Sequence, residues 1–135
     1  MLNQLAELDL GSPEALAAMY PRLFAKGRLA SWRHLFDDRA TLVRTEADQD
    51  YRIMEIDAAM PEQIDYVDEN PGIEETWENI TIDRHDRIAV ISADYRVTTD
   101  REVRTGKDVA LLARNSDGRW RIVSLAYQQH SLGAR

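Results

Sequence analysis

Three stretches of alternating apolar and polar residues follow one another in the last third of the chain, at Ile88–Thr99, Val103–Arg114 and Arg119–Gln129. A fourth strand pattern, Glu74–Asp83, precedes them. Alternation with a period of two is typical of strands that lay one face on a core. The links between the stretches are short, so consecutive strands are expected to run antiparallel. The sequence therefore predicts a long antiparallel meander that the rest of the chain has to cover.

The last of these strand patterns is apolar on both of its faces. One face carries Trp120, Ile122 and Ala126, and the other carries Val123, Leu125 and Tyr127. Helices can cover only one face of such a sheet, and an exposed apolar face is a common interface between identical subunits. We therefore expect a homodimer that is joined through the sheet.

The first helix is predicted from Ser12 to Gly27. Ser12 is a good helix cap, Pro13 suits a first turn, and Gly27 is placed to end the helix. Pro21 lies inside this segment and removes one backbone hydrogen bond. The sequence therefore predicts either a kink near Tyr20 or two shorter helices.

Two further helices and two short strands are predicted before the meander. The helix patterns are Leu29–Phe36 and Asp57–Glu69, and the strand patterns are Ala40–Arg44 and Tyr51–Ile56. The fold class is therefore α+β. With 135 residues, the chain has the length of a single domain, which we expect to span residues 1–135.

Two segments resemble the nuclear transport factor 2-like superfamily. Trp32 with Leu35–Leu42 is similar to its helix-to-strand junction, and Asp117–Ile122 is similar to its final hairpin. The resemblance covers nearly the whole chain and is to the SnoaL-like and ketosteroid isomerase-like members. It implies a curved antiparallel sheet wrapped around three N-terminal helices, forming a cone with an internal pocket. The superfamily includes isomerases, cyclases, dehydratases, epoxide hydrolases, small subunits of ring-hydroxylating dioxygenases and pocket proteins without an assigned activity.

The resemblance places one functional residue, Tyr20, at the position of the tyrosine that stabilises an oxyanion in ketosteroid isomerases. The other two positions differ, because Arg44 stands where the catalytic base is expected and Ala110 where the second oxyanion acid is expected. Arginine does not accept a proton at neutral pH, and alanine has none to give. The steroid isomerase reaction itself is therefore not expected.

Other residues are candidates for a pocket. Asp108 shares a strand face with Ala110 and either carries a carboxylate into the cone or is a surface acid. Arg44 either meets an anionic or carbonyl ligand or pairs with Asp37, Asp38 or Glu46. Aromatic side chains either line a ligand pocket or belong to the core. These aromatic candidates are Phe24, Trp32, Trp77, Tyr95 and Tyr127.

Composition excludes several classes of function. With a net charge of −7 and a pI near 4.9, the surface repels phosphate backbones, so we expect no nucleic-acid partner. The chain has no cysteine, no basic leader and no long apolar run, so we expect a cytoplasmic protein without membrane contact. His85 lies in a turn-forming segment, and no phosphate loop or zinc pattern is present, so we expect neither metal nor cofactor.

Three functions of different class agree with these observations. The first is an enzyme of the lyase, isomerase or cyclase type, acting on a small hydrophobic carbonyl compound, in which Tyr20 polarises the carbonyl and Asp108 moves a proton. The second is a non-catalytic module that binds an apolar ligand in the same cone. The third is an accessory subunit similar to the small subunits of ring-hydroxylating dioxygenases. Buried polar groups around a void favour the first, an apolar void the second, and a filled cone the third.

Overall fold

Three helices are present in the computed structural model, which describes residues 8–134. They are α1 (Pro13–Leu23), α2 (Leu29–Arg33) and α3 (Ile56–Glu69). Ser12 caps α1 as predicted, because its hydroxyl accepts a 3.0 Å hydrogen bond from the Ala15 amide. None of the helices in the described part of the chain is long and apolar enough to cross a membrane.

Pro21 does not divide the first helix. α1 is continuous from Pro13 to Leu23, and Pro21 lies in its last turn, so the alternative of two shorter helices is wrong. The helix ends before Gly27, which instead adopts a φ of 81° in the turn that leads to α2. Tyr20 keeps an inward orientation and is only 4% exposed.

Within residues 8–134, six strands form one sheet in the order β2-β1-β6-β5-β4-β3. Their bounds are β1 Phe36–Thr45, β2 Arg52–Glu55, β3 Glu74–His85, β4 Ile88–Thr98, β5 Glu102–Arg114 and β6 Trp120–Ala134. All neighbours are antiparallel except β1 and β6, which are parallel. The predicted meander is confirmed, and the prediction of a wholly antiparallel sheet needs this one correction. Parallel pairing of β1 with β6 is possible because the long connection between them, unlike a tight turn, allows the chain to cross over.

The second predicted helix is too long at its end, because Phe36 begins β1. A backbone hydrogen bond of 3.0 Å from His34 to Ser31 closes the last turn of α2. The Ile122 amide then donates to the Leu35 carbonyl at 2.8 Å and draws the segment onto β6. An apolar residue at position 36 fits both the end of the helix pattern and the start of a strand. Sequence periodicity therefore did not show which of the two elements contains Phe36.

The core lies between the helices and the inner face of the sheet. The inward residues predicted for β4 are all buried, and they are Ala89, Ile91, Ala93, Tyr95 and Val97. Trp32 and Phe36 pack tilted against each other, with ring centroids 4.8 Å apart. The structure is therefore α+β, with the helices on one face of a mixed, mostly antiparallel sheet.

A β-bulge at Val123 explains the apolar pattern of the last strand. Ile122 and Ser124 pair with adjacent residues of β5, so β6 has gained one residue and its alternation changes phase. Before the bulge Ile122 points inward, and after it Leu125 is buried and Tyr127 lines the interior. The prediction that both faces of this strand are apolar is wrong, because it assumed that the alternation of side chains continues unchanged past Val123.

The outer face of the sheet nevertheless carries an apolar row. Ile53, Val43, Ala126 and Val109 are neighbours in register across β2, β1, β6 and β5. Ile53 is 62% exposed and Val109 is 39% exposed. Leu111, two residues along β5 from Val109, is 40% exposed. An apolar row of this length across a sheet is a suitable surface for a second copy of the chain.

We predict a homodimer that buries this outer row, on the order of 1,600 Å² in total. Light scattering at micromolar protein concentration measures the mass directly. Val109→Lys places a charge at the β5 end of the row and is expected to yield a monomer, whereas Asp65→Lys on the exposed face of α3 leaves the dimer intact. A wild-type protein that scatters as a 15.5 kDa monomer contradicts the prediction.

Trp120 is predicted to be a structural residue. It is 3% exposed, its amide donates to the Leu10 carbonyl at 2.8 Å, and the Arg114 guanidinium lies 5.8 Å from its ring centroid. Trp120→Ala should therefore lower the free energy of unfolding by roughly 3–5 kcal/mol. Urea unfolding measures the change, with Arg119→Ala in the exposed turn as the control. A loss below about 1 kcal/mol would mean that the core does not depend on this side chain.

Candidate active site

A cavity of about 270 Å³ lies between the helices and the inner face of the sheet. Its walls come from α1, α2 and α3 and from all the strands except β2. Six of the lining side chains are aromatic, namely Tyr20, Phe24, Trp32, Tyr66, Tyr95 and Tyr127. Seven are polar or charged, namely Arg44, Glu62, Gln63, Glu75, Arg104, Asp108 and Gln129. A cone with polar groups around a void, buried Asp108 among them, is the arrangement that favours an enzyme over a filled scaffold.

Asp108 lies at the inner face of β5 and is 5% exposed. The sheet register places it directly beside Tyr127 of β6, which in turn lies beside Arg44 of β1. These three side chains therefore form one row across the inner face. The alternative that Asp108 is a surface acid is wrong, because β5 begins at Glu102 and its alternation sends residue 108 to the interior.

Asp108 shares a hydrogen-bond donor with a second acid, Glu75. The indole Nε1 of Trp77 lies 2.9 Å from Asp108 Oδ2 and 3.1 Å from Glu75 Oε2. Neither carboxylate forms an ion pair with any residue in the described range 8–134. Two acids thus meet at one neutral N–H group, in a wall of aromatic rings.

Burial raises the pKa of both acids. It raises the pKa of Asp108 to about 7, and only the hydrogen bond from Trp77 acts against it. The pKa of Glu75 is also well above its ordinary value, first because of burial and then because of the negative charge on Asp108. Because the two groups interact, they titrate as a pair, in which the charge of Asp108 makes Glu75 harder to ionise.

Tyr20 lies against the pair on the side of α1. Its ring stacks on Trp77, with centroids 4.4 Å apart and planes 22° apart. Burial, then the charges of Asp108 and Glu75, raise the pKa of its phenol well above the ordinary value, so the hydroxyl keeps its proton. The Trp32 indole N–H lies near this hydroxyl and acts to lower its pKa, against the effect of burial. The two groups do not have hydrogen-bond geometry, and Trp32 Nε1 has no hydrogen-bond partner within residues 8–134.

The phenols of Tyr95 and Tyr127 also surround the acid pair. Burial is the main cause that raises the pKa of each, and the charge of Asp108 adds to it. Within the described residues, neither hydroxyl has a hydrogen-bond partner. Gly106 makes room for the first of these rings, because a Cβ at this position would lie 2.7 Å from the Tyr95 ring and would also collide with the Gln128 carbonyl.

Two arginines border the cavity nearer to solvent, and each has an acidic partner. Arg44 pairs with Glu46 at 2.7 Å, which is one of the three partners considered from sequence. Arg104 pairs with Glu102 at 2.6 Å and lies 4.7 Å from the ring centroid of Tyr66. The positive charges at this end of the cavity are therefore largely balanced.

The structure brings most of the sequence-predicted site residues to this one cavity. Its walls include Tyr20, Phe24, Trp32, Arg44, Tyr95, Asp108 and Tyr127. Trp77 is not among the lining residues, since it stands behind Tyr20 and donates to the two acids. Glu75 was missed. Its signal was the spacing to Trp77, because residues two apart on a strand share a face. It lies, however, in the strongly acidic segment Glu46–Glu78, and a run of like charges is usually a solvated surface.

Comparison with solved structures shows that the chain has the nuclear transport factor 2-like fold, as the sequence motifs indicated. A predicted scytalone dehydratase from Novosphingobium aromaticivorans matches with a TM-score of 0.73 and 14% identity, over 100% of this chain and 92% of that one. A nuclear transport factor 2-like protein of unknown function from Shewanella baltica matches with a TM-score of 0.61 and 18% identity, over 96% and 94%. A predicted ketosteroid isomerase from Parabacteroides distasonis matches with a TM-score of 0.66 and 14% identity, over 91% of each chain.

No protein-family model and no curated protein sequence matches the chain. At such low identities, the structural likeness shows the fold and not the reaction. The function therefore has to be argued from the cavity.

Asp108 should make the protein less stable as the pH rises. A carboxyl with a raised pKa binds its proton more tightly in the folded state, so stability is lost as the pH rises from about 4 through about 7. From pH 5 to pH 8 the loss should be roughly 2–3 kcal/mol. Urea unfolding at both values tests this: Asp108→Asn should remove the part of the loss that Asp108 contributes, and Asp65→Asn on the exposed face of α3 is the control. An equal loss in wild type and Asp108→Asn contradicts the assignment.

Proposed function

We propose that the protein is an acid–base catalyst of the isomerase, lyase or cyclase type, and that it acts on a small hydrophobic carbonyl compound. The observation that carries this proposal is the acid pair of buried Asp108 and half-buried Glu75, whose shared donor Trp77 stacks on Tyr20 at an aromatic cavity. The fold neighbours include predicted isomerases and a predicted dehydratase, which agrees with this class of chemistry.

The acid pair has the protonation state that proton transfer needs. A general base works best when its pKa lies near the working pH, and burial raises the pKa of Asp108 to about 7. With one proton on the pair, one carboxylate is free to take a proton from the carbon next to a carbonyl. The other carboxyl holds a proton that it can return to the product at another atom.

Tyr20 supplies the electrophilic group in this proposal. Removal of a proton next to a carbonyl leaves negative charge on the carbonyl oxygen, and a hydrogen bond to that oxygen stabilises the charge as it develops. The Tyr20 phenol is protonated and lies against Trp77, the donor to both acids. The proposed base, Asp108, is held on β5 and the proposed oxyanion donor, Tyr20, on α1, and both side chains line the cavity.

The other two functions fit the cavity less well. An accessory subunit needs no internal void, and a binding module for apolar ligands needs no buried acid pair, which is costly to desolvate. A pair of acids that is retained in the interior at such a cost is a common sign of a working site.

Exchange of the α-protons of ketones for deuterium is the most general test, because isomerases, lyases and cyclases of this kind share that step. Proton NMR in D2O follows the exchange for a panel of cyclic and aryl ketones. Tyr20→Phe removes only the hydroxyl and should change stability little, while exchange falls by roughly tenfold or more, equivalent to about 1.4 kcal/mol. Asp108→Asn should abolish exchange.

Tyr51→Phe is the matched control, because Tyr51 is 67% exposed and remote from the acid pair. It should exchange ketone protons at the wild-type rate. The proposal fails if no ketone in the panel exchanges above the buffer rate, or if Asp108→Asn retains full exchange. Ligand binding that is detected without exchange would instead indicate the non-catalytic binding module.

A further inference from the structure

We infer that the cavity binds organic ammonium ions, with the charged nitrogen beside Asp108 and Glu75 and the apolar body against the tyrosine rings. This is a ligand class that the carbonyl chemistry above does not require. It depends only on the charge balance and the walls of the cavity, so it stands or falls independently of the proposed catalysis.

The first argument is that no cationic side chain within residues 8–134 forms an ion pair with either acid. Trp77 Nε1 is the donor to both carboxylates, and an indole N–H contributes a hydrogen bond but no charge. The arginines that border the cavity are already paired, Arg44 with Glu46 and Arg104 with Glu102. A buried carboxylate needs a compensating positive charge, which is either a proton or a cationic ligand.

The second argument is the aromatic wall around the pair. The phenols of Tyr20, Tyr95 and Tyr127 all lie close enough to Asp108 for its charge to act on them. Aromatic rings attract cations through the negative charge of their faces, and sites for organic ammonium ions are commonly built from several such rings. Metal cations and hydrated ammonium have no apolar part that could pack against these rings.

The third argument is the size of the space. A volume of about 270 Å³ is just below the range of sites for drug-sized molecules. It suits a ligand with a single ring and a short arm. A primary amine on such an arm presents three N–H donors, enough for both carboxylates at once.

Binding of an ammonium ion should release a proton from the acid pair. The charged or titratable groups on the cavity wall are Tyr20, Arg44, Glu62, Tyr66, Glu75, Tyr95, Arg104, Asp108 and Tyr127. Of these, the acid pair is the one expected to change its charge between pH 6 and pH 8, since burial raises the pKa of Asp108 to about 7 and keeps the tyrosines protonated. An ammonium ion favours ionisation of the pair, so its affinity should increase as Asp108 ionises over this pH range.

Titration calorimetry with benzylammonium and the uncharged benzyl alcohol tests the inference on the wild-type chain. At pH 8 benzylammonium should bind at least tenfold more tightly than benzyl alcohol. At pH 6 its affinity should fall several-fold, and titrations in two buffers of different ionisation enthalpy should show the release of up to one proton. Benzyl alcohol should show neither effect.

Two variants locate the charge effect. Glu75→Gln and Asp108→Asn should each lower the affinity for benzylammonium by about tenfold or more. The affinity of each variant for benzyl alcohol should stay within about threefold of the wild-type value. Equal affinity of the two compounds for the wild-type chain overturns the inference without any variant. Benzylammonium binding that is unchanged in both variants also overturns it.

The ketone exchange assay separates this result from the proposed function. Ketone exchange without a preference for benzylammonium over benzyl alcohol would contradict the ammonium site and leave the proposed catalytic function standing. Benzylammonium selectivity without exchange of any ketone would support the ammonium site and reject the catalyst.

Discussion

The hydrogen bonds from one indole N–H group to two carboxylates are the interaction on which the interior depends. Trp77 Nε1 holds Asp108 of β5 and Glu75 of β3 at 2.9 and 3.1 Å. The ring of the same tryptophan stacks on Tyr20 of α1. One side chain therefore fixes the acids, the phenol and the distance between the first helix and the sheet. Because the donor is neutral, it positions the acids without neutralising them, and their protonation stays sensitive to the surroundings.

The cavity remains open because its walls are rigid. Aromatic side chains have few rotatable bonds, and here they pack tilted against each other, as Trp32 does with Phe24 and Phe36 at centroid distances of 5.4 and 4.8 Å. Such rings do not collapse into a neighbouring void as longer aliphatic chains do. The same residues that form the core on one side therefore maintain an unfilled space on the other.

Much of the fold was predictable from sequence, and the site was predictable in part. Alternation in β4 gave its inward residues correctly, because this strand is regular and pairs with neighbours on both sides. The motif around Trp32 and the hairpin before Trp120 indicated the family fold, which the structural neighbours share. Tyr20 and Asp108 were identified as candidates, and both lie at the cavity.

The failures have specific physical causes. The parallel pairing of β1 with β6 depends on contacts between distant parts of the chain, which local patterns do not encode. Glu75 looked like one more acid in an acidic segment, because nothing in its neighbourhood except the spacing to Trp77 distinguishes a buried carboxylate from an exposed one. The phase of β6 was misread because a bulge has no reliable signature in a single sequence.

That bulge also bears on how the interior can change over evolutionary time. After Val123, the one extra residue of the bulge determines which side chains of β6 point into the cavity and which point outward. The identity of the side chains that follow does not determine it. A single insertion or deletion there would exchange Leu125 and Tyr127 for their outward neighbours, and it would replace an entire wall of the cavity in one step. Length variation in the last strand is thus a route to a new binding specificity that leaves α1, β3 and the acid pair unaltered.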